Sequence, residues 1–366
     1  MHLLLTPPHS ANTSLGVVIG EEPEITVTVG GEPVDAGTVQ TFYAGATRDF
    51  NYSINYEVTE LTFTYPEGWS VSAEEGVITV VSPVDAASGA ASGVITATAT
   101  DGEWTLTVDI LSVEAKFPVE PTTAPEVGDY VYEDGTWGKE TTSAIGARAI
   151  AVVFYNSNPQ EFGDAELVKD HPEATHGLAV AINSAAQETR WTNINTFSWI
   201  LDNITITNTL IAGDGLSADQ NPLLGYSNNK VMRLFNEANP EKTQFNAVTL
   251  ADEYNVSYPA PARTSGWYVP SVSEFIRLCD NTLTDITVIL KSDDEEPVVV
   301  PYPTAEAVNG KLSALDGAEA LSGRYFLSNR QNTSNGYIIV LDDEDGVSSV
   351  RGTSSSVADM RFILAF

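Results

Sequence analysis

A single cysteine, Cys279, leaves no way to form an intramolecular disulfide. That excludes a small disulfide-stapled extracellular domain and leaves open a larger exported protein that does without such bonds. Basic residues are scarce: 17 Lys and Arg face 50 Asp and Glu, for a formal net charge of −33. A field of that sign repels phosphate backbones and anionic lipid surfaces, so no nucleic-acid partner and no peripheral membrane binding are expected. The same charge keeps a secreted protein soluble. No run approaches about 18 uninterrupted apolar residues, so no membrane insertion is expected either. The first residues, Met1-His-Leu-Leu-Leu-Thr-Pro-Pro-His-Ser10, lack a basic lead and a long apolar stretch. They read as a flexible leader over residues 1–20 rather than as a signal peptide or anchor.

Charged residues make up only 18% of the chain, with Gly, Ser, Thr and Asn in their place. That composition favours strands and loops over long helices. The length is too great for one ordinary core and fits two domains or three. From Glu24 the pattern alternates strictly: Ile25, Val27 and Val29 face one way, Thr26 and Thr28 the other, before a Gly30-Gly31 turn. Short strands are predicted over 38–43, 50–56, 61–65, 70–73, 77–81, 94–100 and 104–111. Turns at Pro66-Glu-Gly68, Glu75-Gly76, Ser88-Gly89 and Asp101-Gly102 separate them. Short strands at this spacing, without helical periodicity, predict an all-β immunoglobulin-like sandwich over residues 21–117. Trp69 and Trp104 are either a stacking platform for sugar or, as favoured here, packing residues of the sandwich. With only Arg48 and Lys116 as basic residues, this domain reads as a stalk or spacer.

A Pro/Thr-rich segment over residues 118–127 reads as an extended, semi-rigid linker. Residues 128–366 then read as a single α+β domain. Tyr130, Tyr132 and Trp137 around Asp134-Gly135 predict a hairpin. Buried strands are predicted at 149–155 and 177–182, with a strand or short helix at 208–212. Helices are expected over 231–239 and 245–254. Ser271-Val-Ser-Glu274 is a capping-box pattern, and Val272, Phe275, Ile276 and Cys279 follow on one helical face. Thr304 is expected to cap a helix over 305–315, and strands return at 325–327, 336–341, 347–351 and 360–365. Helices between strand-rich ends make an α+β plan.

These residues carry a resemblance. Gly128-Asp-Tyr with Asp134-Gly-Thr-Trp137, Ala151-Val-Val-Phe-Tyr155 and His176-Gly-Leu-Ala-Val-Ala181 come in order. Trp267-Tyr-Val-Pro-Ser271, the Glu274 helix, Ser322-Gly-Arg-Tyr-Phe-Leu-Ser-Asn329 and Arg361-Phe-Ile-Leu-Ala-Phe366 follow. Together they resemble the C-type-lectin-like modules of bacterial collagen-like adhesins and of large paralogous sets of bacterial surface proteins. That fold is shared with formylglycine-generating enzymes. The resemblance covers about two thirds of the chain. It implies a multidomain protein, an immunoglobulin-like N-terminal domain ahead of a C-terminal C-type-lectin-like domain. Trp267, Tyr268 and Pro270 read as a lock on the helix entry, and Phe362, Leu364 and Phe366 as core residues of a closing strand.

Catalytic chemistry finds no support. The enzymes of that fold use a cysteine pair for copper and oxygen chemistry, whereas Cys279 stands alone on an apolar helical face and reads as a buried structural thiol. His171 and His176, with Asp170 and Glu173, form the one local cluster of metal-ligand types, and their spacing matches neither a zinc helix motif nor a finger. Asp342-Asp-Glu-Asp-Gly346 lacks the ligand spacing of a calcium loop. That run and Asp293–Glu296 read as solvated tips. No nucleophile elbow and no phosphate-cradling loop occur. No enzyme, metal or cofactor is expected.

Recognition remains. In the resembled fold the ligand surface is built by long irregular segments, here residues 184–230 and 327–356. Their amides and aromatics suit neutral sugars, which need paired hydroxyls and an apolar ring contact. The candidate binding residues are Trp191, Asn193, Asn195, Asn329, Arg330, Asn332, Asn335 and Arg351. The leading expectation is a non-catalytic bacterial adhesin, secreted or on the outer cell surface, that binds a glycan or an extracellular matrix protein. Two alternatives stand beside it. One is a structural fimbria-tip or subunit protein whose sandwich exchanges strands with a pilus or surface-assembly neighbour. The other is an accessory polysaccharide-binding protein of a nutrient-uptake system.

Overall fold

The computed structural model describes residues 22–102, 104–189, 197–210, 223–283, 301–330, 336–342, 346–352 and 356–366. The chain divides into two compact units. The first takes residues up to Gln40, 48–80 and 92–114; the second takes residues 41–47, 81–91 and 115–366. Most described regular structure is strand, arranged in several sheets, and no described helix is long and apolar enough to cross a membrane.

The N-terminal strands are β1 (Ile25–Val29), β2 (Glu32–Pro33), β3 (Val39–Tyr43), β4 (Thr47–Ile54), β5 (Glu60–Thr64), β6 (Ser70–Glu74), β7 (Val77–Val81), β8 (Ser92–Thr100) and β9 (Thr105–Lys116). They form two sheets, in the orders β2-β1-β4-β7-β6 and β3-β9-β8-β5. Gly30 and Gly31 both hold positive φ (59° and 87°), the backbone that a two-residue hairpin between twisted strands requires. Alternation decides which side is buried: Ile78 and Val80 on β7, and Ile95, Ala97 and Ala99 on β8, are fully enclosed. On β9 two successive residues, Ile110 and Leu111, are both buried, because the pairing steps from Ile95↔Leu111 to Thr96↔Asp109 and leaves Ile110 as an extra residue. That bulge lets β9 change faces midway. Trp69 is buried, in line with a packing role.

The second unit contains β10 (Tyr130–Tyr132), β11 (Trp137–Gly138), β12 (Ala149–Tyr155), α1 (Ala165–Asp170), β13 (Leu178–Ala181), β14 (Ala186–Thr189) and α2 (Phe197–Asn203). It continues with α3 (Gly225–Ala238), α4 (Asn246–Ser257), α5 (Val272–Cys279), α6 (Pro303–Leu312), β15 (Gly323–Arg330), β16 (Gly336–Asp342), β17 (Gly346–Gly352), β18 (Ala358–Met360) and β19 (Ile363–Ala365). One sheet runs β11-β10-β12-β13-β19, all antiparallel, so the last strand of the chain lies beside β13. The other runs β14-β18-β15-β16-β17, with a single parallel pairing of β15 to β18.

The first of these sheets is buried on both faces, which explains why β12 (AIAVVFY) is apolar at nearly every position. Val152, Phe154, Val180, Ile363 and Ala365 face a core shared with α5 and α6. Val131, Ala151, Val153, Phe362, Leu364 and Phe366 face a second core shared with α3 and α4. The alternation of the closing strand therefore serves two cores at once. Each large aliphatic or aromatic side chain buried this way stabilises the fold by roughly 1.5–3 kcal/mol.

Several local expectations change. Residues 208–210 form neither strand nor helix: the Asn208 side chain accepts from the Leu210 amide and bends the backbone. Thr304 lies inside the first turn of α6 rather than capping it, and its hydroxyl accepts from the Asn281 amide. The strand expected over 360–365 is split into β18 and β19 at Arg361-Phe362. There the Arg361 guanidinium is buried and donates to the carbonyls of Ala181, Ile182 and Glu319. Residues 1–20, the 293–296 acidic run and 343–345 lie outside the described residues.

Candidate functional site

The segment Trp267-Tyr-Val-Pro-Ser271 is a junction of four elements. Trp267 Nε1 donates to the Tyr258 carbonyl at the end of α4 (2.7 Å). The Tyr268 backbone exchanges both hydrogen bonds with Ile363 of β19, and the Pro270 carbonyl accepts from Ser328 of β15. Ser271 then caps α5, with the reciprocal Glu274 contact that its sequence predicts. Glu274 is only 1% exposed and accepts from Ser271 N (2.6 Å), Ser271 Oγ (2.7 Å) and Tyr268 Oη (3.1 Å). Burial nonetheless pushes its carboxyl up to about 7, against the pull of those donors, and the Asp164 carboxylate pushes the same way.

Asp164 is the matching buried acid. It caps α1 through the Leu167 amide and holds the start of α3 through Ser227 N (2.9 Å) and Ser227 Oγ (2.6 Å). Its carboxyl is also raised by burial, with the Ser227 hydrogen bonds opposing. Gly225 opens α3 against this network: a Cβ there would lie 2.1 Å from Glu274 Oε2 and 2.8 Å from Tyr268 Cε2. Two carboxylates of raised pKa are what an acid–base site uses. Here both are enclosed and their oxygens bond backbone amides and hydroxyls, so the pair holds helix starts together.

A second buried network joins the two segments from which a ligand surface was expected. Asn228 of α3 accepts from the Thr209 amide and donates to Thr209 Oγ1 (2.7 Å) and Ser328 Oγ (2.9 Å). Arg330 N donates to the Thr209 carbonyl, and Asn329 Oδ1 accepts from the Val272 amide at the start of α5 (2.7 Å). Thr209, the first turn of α3 and the end of β15 are thus bound to one another.

Of the candidate binding residues, Asn329 and Arg330 belong to β15, not to an irregular loop, and are buried at 0% and 1% exposure. Their polar groups are turned into the fold, and burial draws the Arg330 guanidinium down to about 10. Arg351 lies on β17, paired in register with Tyr337. Trp191, Asn193, Asn195, Asn332 and Asn335 lie outside the described residues. The irregular stretch expected over 327–356 is largely the antiparallel ladder of β15, β16 and β17.

His171 and His176 do not converge. His171 Nε2 meets Tyr226 Oη at 3.0 Å, and that hydroxyl also donates to Asp170. His176 packs on Trp137 with ring centres 4.6 Å apart. Among the described residues no group of three or more His, Cys, Asp or Glu is placed to hold a metal ion. Cys279 is buried and its thiol is raised by burial. One polar site had not been anticipated. A cleft of about 340 Å³ opens between Asn183, which follows β13, and α4, lined in part by Tyr254, Tyr258 and Glu319. Its sequence signal is a tyrosine pair four residues apart, Tyr254 in the last turn of α4 and Tyr258 at its C-cap.

No protein-family model matches the chain. A Bacteroides ovatus protein named "Putative fimbrium tip subunit Fim1C" is 26% identical over 265 residues, covering 66% of this chain and 45% of its own length. The chain thus spans about half the length of this curated relative. A crystal structure of a fimbrial protein from Bacteroides ovatus superposes with a TM-score of 0.52 at 19% identity. The match covers 90% of this chain and 69% of that one. The likeness of fold takes in most of both units, so this is a multidomain, β-rich chain with a fimbrial-protein-like architecture.

Proposed function

We propose that this protein is a non-catalytic component of a surface fimbria, of tip or subunit type, located on the outer cell surface. One observation carries the reading: the likeness to a fimbrial protein extends over 90% of the chain, across both units, and is not limited to one shared module. The relation to a fimbrium tip subunit in sequence supports it. The sandwich supplies a means of assembly. Among the described residues, β5 pairs with β8 alone and β6 with β7 alone. Their inward-turned residues Leu61, Phe63, Val71 and Ala73 are half-buried, while those of β7 and β8 are fully enclosed. Such an edge offers main-chain hydrogen bonds and apolar sockets to an added strand. We also infer that the second unit is C-type-lectin-like. In support, β19 closes the sheet that β10 opens, and the Trp267–Ser271 junction leads into a capped helix. Glycan or matrix binding by its loops belongs to the same reading.

Fimbriae sheared from cells that produce the protein test the assignment. Antibody to the chain, viewed by electron microscopy, should label filament ends or shafts. Label spread evenly over cells whose sheared filaments lack the protein would overturn it. A glycan array probed with the full chain tests the ligand: a saccharide class bound above background supports a lectin-like tip, and a blank array assigns the protein to assembly alone.

A further inference from the structure

A smaller cleft, of about 240 Å³, lies between α3, α4 and the Trp267 junction. Its floor is apolar and made of the buried residues Trp267, Val248 and Ala251. Its charged lining is of one sign. Lys230 and Arg233, nearly one turn apart on α3, line it, whereas Glu166, Asp170 and Asp252, the acids that pair with them, lie outside its walls. Each ion pair thus sets its positive end toward the cleft, in a chain where acids outnumber bases 50 to 17. The pairing leaves donors over. Asp252 takes the end of the Arg233 guanidinium, with Nη1 to Oδ2 at 3.0 Å and Nη2 to Oδ1 at 2.7 Å. A guanidinium carries five N–H groups, so the side fork formed by Nε and Nη2 is left. Lys230 Nζ donates to Glu166 (2.7 Å) and to Asp170, which uses two of its three N–H groups. The neutral polar walls are committed to the fold. Asn229 bonds the Gly225 carbonyl and both backbone groups of Val269, and Ser265 bonds Gly266 and Ala365.

We propose that this cleft binds a carboxylate group, carried by an acidic side chain of a partner protein or by a uronic-acid residue of a glycan. The planar side fork of Arg233 matches the two oxygens of a carboxylate, and the third Lys230 N–H adds a charge-assisted bond. The apolar floor takes the carbon body behind the carboxylate. The net charge of −33 does not forbid a single carboxylate. At 0.15 M ionic strength the Debye length is about 8 Å, so distant acids are screened while donors at contact are not. A doubly charged sulfate or phosphate meets the same field at twice the strength, which favours the carboxylate among anions. A cation meets Lys230 and Arg233 at contact. The inference does not rest on the fimbrial reading, and the site lies on helices, not on the loops to which glycan binding is assigned there.

The full chain, deuterated and labelled with nitrogen-15, is titrated at about 0.15 M salt with N-acetyl-glutamate-N-methylamide and with methyl glucuronide. The neutral counterparts, the glutamine compound and methyl glucoside, are titrated alongside. Binding with Kd on the order of 1–10 mM is expected for the two acids, with shifts centred on α3 and on the Trp267 indole, and none for the neutral pair. Tighter binding of the glutamate compound identifies a partner's acidic side chain as the source, and tighter binding of the glucuronide identifies a glycan. Equal binding makes the carboxylate itself the whole determinant. Arg233→Gln should weaken binding about tenfold, the factor expected for loss of one charge-assisted contact. Its pair with Asp252 is exposed on both sides, so Tm should hardly change. Asp252→Asn loosens the hold on the Arg233 fork and removes the carboxylate beside it. Binding should tighten severalfold, a gain that damage to the fold cannot mimic. No binding of either acid, equal binding of the neutral counterparts, unchanged affinity in Arg233→Gln, no gain in Asp252→Asn, or the same shifts with sodium sulfate at equal ionic strength would overturn the proposal.

Discussion

Glu274 couples stability to pH with a sign opposite to that of most paired carboxylates. Its carboxyl is near 4.5 in the unfolded chain and about 7 in the fold. Between those values the folded protein keeps a proton that the unfolded chain has released, so stability falls as pH rises through the window. The span of the shift amounts to about 3 kcal/mol. Asp164, also raised by burial, adds in the same direction from a lower starting pH. His171, lowered by burial, opposes both and costs stability as pH falls below its ordinary value. Glu274→Gln keeps an acceptor for Ser271 and removes the ionisation. Its urea-unfolding free energy should decline less between pH 5 and pH 7.5 than that of the unaltered chain, by about 2–3 kcal/mol. Parallel pH profiles for the two proteins would show that Glu274 is not the group responsible. Gly225→Ala tests the same pocket sterically. With a Cβ placed 2.1 Å from Glu274 Oε2, the helix start or the Glu274 side chain must shift. A loss of about 1–3 kcal/mol, as for an overfilled core, is expected in the same denaturation experiment.

At the level of elements, the Asn228 network makes a cooperative prediction. Asn228→Ala leaves the Thr209 amide and hydroxyl and the Ser328 hydroxyl without the partner they now have. Roughly 2–3 kcal/mol of stability should be lost. A double-mutant cycle with Ser328→Ala should show a coupling of at least about 0.5 kcal/mol, because both side chains sit in one buried network. Additive losses would mean that the two contacts act independently. This network also marks where sequence reading runs out. The strands of the sandwich were legible because alternation and turn chemistry are local: the segment expected at 77–81 is β7 itself. The Ser271 capping box was legible for the same reason. The roles of Asn329 and Arg330 were not. An Asn-Arg pair after an apolar run looks like a polar loop, and only the pairing of β15 with β16 and the approach of α5 turn it inward. The break in the expected 360–365 strand at Arg361 was not legible either, because a buried guanidinium is decided by which carbonyls the tertiary fold brings within reach. The tyrosine pair was written in the four-residue spacing of Tyr254 and Tyr258, but the hydrogen bond that Tyr258 Oη accepts comes from Asn183, far away in sequence.

For the whole molecule, charge governs how copies approach one another. Each chain carries −33 at neutral pH and a pI near 4.1, so two subunits that meet in solution repel. Strand addition at an edge such as β5 is a short-range event, and its hydrogen bonds form only after that barrier is crossed. Salt shortens the reach of the repulsion, from about 30 Å at 0.01 M ionic strength to about 8 Å at 0.15 M. If the sandwich takes a strand from a neighbour, the rate of association should therefore rise steeply with sodium chloride over that range. Once formed, the assembly should persist on return to low salt, because its ladder of hydrogen bonds is buried. Light scattering after a salt jump, followed by dilution, measures both. Thr62→Pro places a residue without an N–H in the middle of β5, where a donated strand would pair. It should suppress association at every salt concentration while the chain remains folded by circular dichroism. Association that proceeds equally well in Thr62→Pro would move the joint to a different edge, and a rate indifferent to salt would place the meeting surfaces away from the bulk of the negative charge.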